Sequence, residues 1–290
     1  MKTSTLLSTL LLSTLVLFAC NKDKKTDAAG EDNNPEPPSA DLPADFVGDE
    51  DTHAYDQEMG HQGSAHNIAN NRTDKIDGTP WHFEQWCDQG SGSFSMQYYN
   101  NGTFKAYWNN VNEYIARVGF KYEVNGEGVD HNTKKYSADY KFTKTGSAPI
   151  SYIGAYGWTV NPITEWYIVD DWYTKPQSSK LGKIIGSYTM DGAEYTVYAL
   201  QKTHMPSLWG YSDFYDIYCV RDTPRQKGHL SLWAHFKRID QVLKSPDNIY
   251  ISSLSKFGNL IEVSLIVDAL QYNSTTTGTI DFTYFDLKDN

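Results

Sequence analysis

Short runs in which apolar and polar residues alternate recur along the chain from about residue 80 onward. They are "SFSMQYYNNGTFKAYW", "KIIGSYTMDGAEYTVYAL", "DFYDIYCVR", "IEVSLIVDAL" and "GTIDFTYFDL". A period of two is the pattern of a β-strand with one buried face. Turn residues interrupt two of these runs, "NNG" at 100–102 and "MDG" at 190–192. Each of the two runs therefore predicts a β-hairpin.

One segment has the period of a helix instead. In "HLSLWAHFKRIDQVLK", residues 229–244, a single stripe collects Leu232, His235, Phe236, Ile239 and Leu243. Many strands combined with one helix predict an all-β protein, an antiparallel β-sandwich of two sheets.

The first twenty residues follow neither pattern. An apolar run over residues 5–19 follows Lys2 and ends at Cys20. It is short for a spanning helix, so it favours the apolar region of a signal peptide over an uncleaved anchor. The ending "LFAC" resembles a lipobox, so residues 1–20 are predicted to be a lipoprotein signal peptide together with Cys20, before which the signal is cut and which carries lipid. The following "NKDKK" resembles the signal that directs lipoproteins of Bacteroidota-like bacteria to the cell surface. We therefore expect an exported outer-membrane lipoprotein, exposed at the cell surface and anchored by lipid only.

Residues 21–77 are polar, acidic and proline-bearing. They contain too few apolar residues to offset the entropy of ordering, so we expect a disordered acidic linker. The spacing of His53, His61 and His66 fits no tight metal-ligand pattern, and no cysteine supports them. Solvated histidines are favoured over a metal site, and no metal or cofactor is expected.

Residues 78–290 are long enough for one domain with a substantial core. The net charge of −11 argues against nucleic acid as a partner, and we expect a monomer. After Cys20 only Cys87 and Cys219 remain. Export permits a disulfide between them, but two buried free thiols explain them at least as well.

The chain contains 8 Trp and 21 Tyr, which is an aromatic surplus with two explanations. Aromatic rings fill cores and pair across strands. They also stack on the apolar faces of sugars, with tyrosine hydroxyls bonding to sugar hydroxyls. Alternation does not separate the two explanations, because either face of a sandwich strand carries rings.

The order of the motifs from about Trp81 to Tyr284 is more specific. They are "FEQWCD", "NGTFKAYWNNVNEYIARVGF", "YGWTVNPITEWYIVDDW", "IIGSYTMDGAEYTVY", "MPSLWG", "FYDIYCVR" and "HLSLWAHFKRID". In this order they resemble the family 11 glycoside hydrolases. That family's pattern contains Tyr-Gly-Trp before Pro-x-x-Glu-Tyr-Tyr-Ile-Val-Glu, a hairpin, a thumb loop Pro-Ser-Ile-x-Gly, Phe-x-Gln-Tyr-Trp-Ser-Val-Arg and a single helix.

The resemblance implies a retaining endo-β-1,4-xylanase with a jelly-roll sandwich bent around a cleft for xylan. In it Glu165 matches the catalytic nucleophile, and Tyr156 and Tyr167 match the tyrosines that hold the sugar and the nucleophile. Trp86 matches a stacking tryptophan. Independently, alternation places Glu165, Tyr167 and Val169 on one strand face.

The thumb residues carried over by the resemblance are Pro206 and Ser207, at the tip that lies over the glycan chain. The position of the family's thumb-proximal arginine is occupied by Lys202. Its ammonium is a point charge, whereas the planar guanidinium of an arginine can form two parallel hydrogen bonds. The position of the family's strand glutamine is occupied by Asp216.

A retaining glycosidase needs two carboxyl groups about 5–5.5 Å apart. The family's acid lies in a Glu-Gly-Tyr-x-Ser-Ser-Gly strand, which corresponds to "IVDALQYNSTTTGTI". Without gaps, the acid's position is Leu270, which cannot transfer a proton. The asparagine that normally bonds to the acid is replaced by Glu113, and Asp268 lies two residues before Leu270 on the same face.

Two functions follow from these substitutions. In the first, the protein is a xylanase-like enzyme in which Glu113 is the displaced acid, with Asp268 as the reserve candidate. In the second, it is a non-catalytic surface lipoprotein that binds xylan or a related glycan in an inherited cleft. A third alternative is a structural sandwich without a ligand. The enzyme is favoured because a binding protein does not require Glu165.

Overall fold

The structure, a computed structural model, describes residues 48–88, 90–246, 248, 251, 253–271 and 275–290. The predicted signal segment, Cys20 and the first part of the predicted linker lie outside the described residues. In the described part of the chain no helix is long and apolar enough to cross a membrane.

The described residues form sixteen strands and two helices. The first eight strands are β1 (His66–Ile68), β2 (Arg72–Lys75), β3 (His82–Asp88), β4 (Ser93–Tyr98), β5 (Phe104–Val111), β6 (Glu113–Lys121), β7 (Tyr136–Ser147) and β8 (Ile150–Val160). The others are β9 (Thr164–Asp171), β10 (Lys183–Met190), β11 (Ala193–Ser207), β12 (Gly210–Arg221), β13 (Lys227–Leu230), β14 (Asn259–Leu260), β15 (Glu262–Leu270) and β16 (Thr276–Asp289). The helices are α1 (Ser178–Leu181) and α2 (Leu232–Lys244), and a 3-10 turn covers Ala54–Asp56.

Two sheets pack against each other in the predicted jelly-roll sandwich. The smaller sheet has the order β1-β4-β5-β16-β7-β13. The larger sheet has the order β10-β11-β12-β9-β8-β15-β6-β3-β2, with β14 paired to β8. Neighbouring strands are antiparallel except β9 and β12, which run parallel because β10 and β11 intervene along the chain. The prediction of wholly antiparallel sheets is therefore wrong at this one pair.

Large aromatic side chains fill the space between the sheets. The fully buried ones include Trp108, Trp166, Phe83, Phe104, Phe236 and Phe282. In β9, Trp166 and Ile168 point into this core, whereas Tyr167 and Val169 belong to a second apolar cluster on the opposite face of the larger sheet. The period of two thus gives the larger sheet one face for the core and one for a cleft. The aromatic rings thus fall into two sets, one in the core and one on the opposite face of the larger sheet.

Both predicted hairpins are confirmed. Residues 100–102 connect β4 to β5, and residues 190–192 connect β10 to β11. In the second turn Asp191 has φ 47° and Gly192 has φ 75°. Two successive positive φ values are those of a type I′ turn, whose twist matches the flanking strands.

The predicted helix is confirmed over its apolar stripe, and all five residues of the stripe are buried. It begins at Leu232 rather than at residue 229, because residues 227–230 form β13 and pair with β7. Asp191 accepts hydrogen bonds from Ser231 N at 2.8 Å and from His235 Nε2 at 3.0 Å. The hairpin turn therefore fixes where the helix starts.

The chain joins the sandwich before residue 78, earlier than the predicted linker boundary. β1 pairs with β4, and β2 pairs with β3, each as an edge strand. All four residues of β2 are exposed, so no hydrophobic alternation marked this strand in the sequence. Ile76, which follows β2, is fully buried.

Two histidines of this segment, His61 and His66, differ from the solvated side chains that were expected, whereas His53 is exposed. His61 Nε2 lies 2.9 Å from Asp281 Oδ1, and the His61 ring stacks on Tyr99. His66 stacks on Tyr98 with ring centroids 4.8 Å apart. They therefore attach the segment to the smaller sheet.

Cys87 and Cys219 are free thiols, and both are buried. Of the two explanations of these cysteines, the one with free thiols is confirmed. Burial raises the pKa of both thiols to about 12, so neither is a reactive thiolate near neutral pH.

Candidate active site

A cavity of about 410 Å³ opens on the face of the larger sheet that points away from the core. All of the site residues predicted within the domain line it: Trp86, Glu113, Tyr156, Glu165, Tyr167, Lys202, Pro206, Ser207, Asp216, Asp268 and Leu270. They come from β3, β6, β8, β9, β11, β12 and β15. The structure thus brings together in one place residues that are up to 184 positions apart in sequence (Trp86 to Leu270).

Glu165 lies near the start of β9 and is held by two tyrosine hydroxyls. Tyr156 donates to Glu165 Oε1 at 2.7 Å, and Tyr167 donates to the same oxygen at 3.2 Å. Asp216 lies directly opposite Glu165 in the pairing of β12 with β9, so its charge acts on Glu165. Burial, and then the charge of Asp216, raise the pKa of Glu165 to about 8, against the Tyr156 hydroxyl and the positive charge of Lys202.

Tyr156 is itself fixed by its neighbours. Trp158 Nε1 donates to the Tyr156 hydroxyl at 2.6 Å. The guanidinium of Arg117 lies 4.7 Å from the centre of the Tyr156 ring, which is cation–π geometry. Arg117 also pairs with Glu262 at 2.7 Å and with Glu84 at 3.0 Å. Arg117 was not predicted as a site residue. It lies on β6 two residues after Ile115 and four after Glu113, so strand alternation alone would place it on the cleft face.

Asp268 is the buried carboxyl that shares a partner with Glu165. The Tyr167 hydroxyl lies 3.4 Å from Asp268 Oδ2 and 3.2 Å from Glu165 Oε1. Because both distances start at the same oxygen, the two carboxylate oxygens lie no further apart than their sum, 6.6 Å. This upper bound accommodates the spacing of about 5–5.5 Å in retaining glycosidases.

The environment of Asp268 favours its protonated form. Burial, and then the negative charges of Glu113 and Glu165, raise the pKa of Asp268 well above its usual range. Its Oδ1 has no hydrogen-bond partner within the described part of the chain. This oxygen can therefore form a hydrogen bond with a ligand that enters the cavity.

Glu113 and Leu270 lie directly opposite each other in the pairing of β6 with β15. Both line the cavity, so Leu270 places an apolar side chain beside the carboxyl of Glu113. Burial, and then the charge of Asp88, raise the pKa of Glu113 to about 7. Glu113 acts on Asp268 through its charge, and it lies on the side of Asp268 remote from β9 in the strand order.

Lys202 and Asp216 form a charged pair beside Glu165. Lys202 Nζ lies 3.0 Å from Asp216 Oδ2, which also accepts from the Tyr218 hydroxyl at 2.9 Å. Asp216 is 1% exposed, so its charge acts through a medium of low dielectric. Burial raises the pKa of Asp216, and Lys202 opposes this rise. Tyr218 was not among the residues singled out from the sequence.

An exposed tryptophan and the end of a hairpin complete the wall of the cavity. Trp86 projects from β3 and is 38% exposed, so its ring is accessible to a ligand. Residues 205–208, at the end of the β11–β12 hairpin, line the opposite side. We call this hairpin the thumb. The arrangement offers a flat ring, two paired carboxyls and a covering hairpin around one cavity.

Glycoside hydrolases use a pair of carboxyl groups to hydrolyse glycosidic bonds. Residues 79–249 match the sequence profile of glycosyl hydrolases family 11. The chain belongs to this family.

Among curated relatives, endo-1,4-beta-xylanase C of Fibrobacter succinogenes is 35% identical over 236 residues, which are 80% of this chain and 36% of that protein. Endo-1,4-beta-xylanase S20 of Neocallimastix patriciarum is 33% identical over 207 residues, 70% of this chain and 56% of that protein. The chain therefore spans about a third to somewhat over half of these two relatives.

Endo-1,4-beta-xylanase A of Bacillus pumilus is 34% identical over 176 residues, 60% of this chain and 72% of that protein. Among solved structures, the wild-type ENZbleach xylanase is 25% identical with a TM-score of 0.66, covering 79% of this chain and 88% of that one. The jelly-roll fold is thus confirmed by a known structure.

Proposed function

We propose that the protein is a retaining endo-β-1,4-xylanase-like hydrolase of xylan, with Glu165 as the nucleophile and Asp268 as the general acid. One observation carries this proposal, namely the Tyr167 hydroxyl that contacts both carboxyls. The endo-1,4-beta-xylanases among the relatives support xylan as the substrate.

In this mechanism the ionised Glu165 attacks the anomeric carbon and forms a glycosyl–enzyme bond as the glycosidic bond breaks. Asp268 gives its proton to the departing oxygen. The Asp268 carboxylate then takes a proton from a water molecule, whose oxygen displaces Glu165 and restores both groups.

The surroundings of the two carboxyls support these different roles. Lys202, Arg117 and the Tyr156 hydroxyl favour the ionised form of Glu165. Asp268 lies between two other acids, Glu113 and Glu165, and both favour its protonated form. The proposal therefore assigns the ionised form to Glu165 and the proton that the reaction needs to Asp268.

This geometry reverses the order of preference between Glu113 and Asp268 that the sequence suggests. Leu270 occupies the acid's position in an ungapped alignment, and Glu113 is its cross-strand partner. Only Asp268, however, shares a hydrogen-bonding hydroxyl with Glu165. Burial does most to hold the proton on Asp268, and the charge of Glu113 adds to this effect. Trp86, Pro206 and Ser207 would contact the bound glycan.

The test compares Asp268→Asn with Glu113→Gln on xylan and on an aryl xylobioside with a good leaving group. Losing a general acid typically lowers the rate about 10²–10⁴-fold. We expect Asp268→Asn to show this loss on xylan and a much smaller loss on the aryl substrate, which needs little protonation. We expect Glu113→Gln to retain most of the xylan activity. The reverse result, with Glu113→Gln losing xylan cleavage and Asp268→Asn retaining it, would assign the acid to Glu113.

A second candidate function, glycan binding without catalysis, is favoured by Leu270 in the acid's usual place on the cavity wall. It predicts that the wild-type protein binds xylan, releases no sugar from it, and gains activity in Leu270→Glu. Reducing-sugar release by the wild type that Glu165→Gln abolishes would exclude it.

We also propose that the protein is exported and held at the outer membrane, exposed at the cell surface, by lipid on Cys20. The support is the "LFAC" ending of the apolar run and the charged "NKDKK" that follows. A surface position would give the cavity direct access to extracellular polysaccharide.

A further inference from the structure

One buried acid on the cleft face of the larger sheet has no part in the proposed reaction. Glu262 of β15 lies on the same strand face as Asp268, because alternate residues of a strand share a face. Its side chain is 3% exposed, and its Oε1 lies 2.7 Å from Arg117 Nε and accepts from Ser264 Oγ at 2.9 Å. Arg117 Nη2 also lies 3.0 Å from Glu84 Oε2. We call Glu84, Arg117 and Glu262 the charged triad.

The charged triad is not explained by stability. Moving a charge from water into the protein carries a large free-energy penalty, which the attraction between the charges offsets only in part. Burial raises the pKa of Glu262, and the charge of Arg117 acts against that rise. Apolar side chains of similar volume often fill such a space without loss of stability. A role in the neighbouring site accounts for the triad where a role in stability does not.

The strand order places Arg117 between the two acids and beside the site. β6 lies between β3, which carries Glu84, and β15, which carries Glu262, so the guanidinium is held from both neighbouring strands. Beyond β15 lies β8 with Tyr156, whose partner in register on β15 is Ser264. The small side chain of Ser264 leaves space above β15. Through this space the Arg117 guanidinium approaches the Tyr156 ring to 4.7 Å from its centre.

Arg117 acts on Glu165 through the hydroxyl of Tyr156. A cation near an aromatic ring is attracted by the ring face, so the contact limits how the Tyr156 ring can turn. The Tyr156 hydroxyl donates to Glu165 Oε1 at 2.7 Å, and a nearby positive charge polarises the phenol and makes it a stronger donor. Burial, and then the charge of Glu165, raise the pKa of Tyr156 well above its usual range, so the hydroxyl keeps its proton. The orientation of Glu165 therefore depends on where the triad holds Arg117.

We propose that Arg117 is a positioning residue for the nucleophile, which the two glutamates of the triad hold against the Tyr156 ring so that the Tyr156 hydroxyl orients Glu165 for attack. This inference rests on Glu165 as the proposed nucleophile. Arg117 transfers no proton in the reaction, and its positive charge also favours the ionised form of Glu165. The other titratable and charged groups that face Glu165 are Tyr156, Tyr167, Lys202, Asp216, Tyr218 and Asp268.

The test compares Arg117→Met with the double variant Arg117→Met/Glu262→Gln. The double variant removes a positive and a negative charge together, so it leaves no buried Glu262 carboxylate without its partner. We expect kcat for an aryl xylobioside to fall about 10- to 100-fold in both variants, because Glu165 is no longer held in place, while KM changes less than about threefold. Urea unfolding should give the double variant a midpoint close to that of the wild type.

Two kinetic results would overturn the proposal. If the double variant regained the wild-type kcat, Arg117 would serve only to balance the charge of Glu262. If KM rose and kcat stayed unchanged, Arg117 would be a glycan contact instead. The matched control is Arg72→Met on β2, which should alter neither kcat nor KM. Arg72 likewise pairs with an acid, Asp74, and lies 5.8 Å from the centre of an aromatic ring, that of Phe83.

Carbon-13 NMR titration of the glutamate carboxyls measures the effect on Glu165 without any substrate, with Glu165→Gln to assign its signal. Because the charge of Arg117 favours ionised Glu165, the Glu165 pKa of about 8 should rise by roughly one pH unit in Arg117→Met. It should stay unchanged in Arg117→Lys, which keeps the charge. The kcat of Arg117→Lys should lie between those of the wild type and Arg117→Met, because an ammonium lacks the planar guanidinium that both glutamates hold.

An unchanged Glu165 pKa in Arg117→Met would overturn the coupling between Arg117 and Glu165. If the wild type cleaved no aryl xylobioside, Glu165 as the nucleophile would be refuted, and the titration would still decide whether Arg117 acts on Glu165.

Discussion

Replacing Asp216 by Asn should move the acidic limb of the pH–activity profile to lower pH. Activity in the proposed mechanism needs Glu165 ionised, so the rate rises as pH passes the Glu165 pKa of about 8. Burial is the largest cause of that raised pKa, and the charge of Asp216, which lies opposite Glu165 in the pairing of β12 with β9, is the next. Removing the negative charge of Asp216 therefore lowers the pKa of Glu165 and favours its ionised form.

The size of the shift is set by the repulsion between like charges on neighbouring strands, which lie about 4.8 Å apart. Two like charges about 4 Å apart repel by about 4 kcal/mol near a protein surface, which is about three pH units in a pKa. Lys202 Nζ lies 3.0 Å from Asp216 and already offsets part of that charge. We therefore expect Asp216→Asn to lower the pKa of Glu165 by roughly one to two pH units.

The assay is kcat/KM for an aryl xylobioside between pH 4 and pH 10, which reports the ionisation of the free enzyme. Asp222→Asn is the matched control, since Asp222 follows β12 directly and is exposed. An acidic limb in Asp216→Asn at the same pH as in the control would refute both the coupling of Asp216 to Glu165 and the assignment of that limb to Glu165.

Three further predictions concern binding, location and stability. Trp86→Ala should weaken affinity for xylo-oligosaccharides by about 1 kcal/mol or more in titration calorimetry, whereas Tyr107→Ala, which removes an exposed ring of the smaller sheet, should leave it unchanged. Cys20→Ser should release the protein from the membrane fraction or stall its processing on an immunoblot, and an unaltered membrane fraction would argue against the lipid anchor. Phe236→Ala should cost about 3–5 kcal/mol in urea unfolding because the ring is fully buried against Trp166. Lys244→Ala should cost less than about 1 kcal/mol, as expected for an exposed ion pair, and equal losses in the two variants would contradict the packing argument.

The parts of the fold with a strong local signal were predictable from sequence. The turns at 100–102 and 190–192 need residues that tolerate positive φ, and Asp191 with Gly192 supplies them. The stripe on α2 is long enough for its period to be unambiguous. The edge strand β2 had no such signal, because its four exposed residues contribute backbone hydrogen bonds but no buried side chains.

The candidate site was predictable as a set of residues but not as a set of contacts. Alternation and motif order identified which side chains share the cleft face. The shared Tyr167 hydroxyl depends on how β9 and β15 approach each other across β8, which no local pattern encodes. For the same reason, the sequence favoured Glu113 as the acid, while the geometry favours Asp268.

The two short N-terminal strands protect the sandwich against self-association. β1 covers the free edge of β4 in the smaller sheet, and β2 covers the free edge of β3 in the larger one. An uncovered edge presents a row of unpaired N–H and C=O groups, which is a template for aggregation. A chain cut at residue 78, where the sequence suggests that the domain begins, would expose both edges at once and would also lose Ile76 from the core. Such a chain would therefore be prone to precipitate through edge-to-edge pairing, whereas one that begins at residue 48 keeps both edges covered.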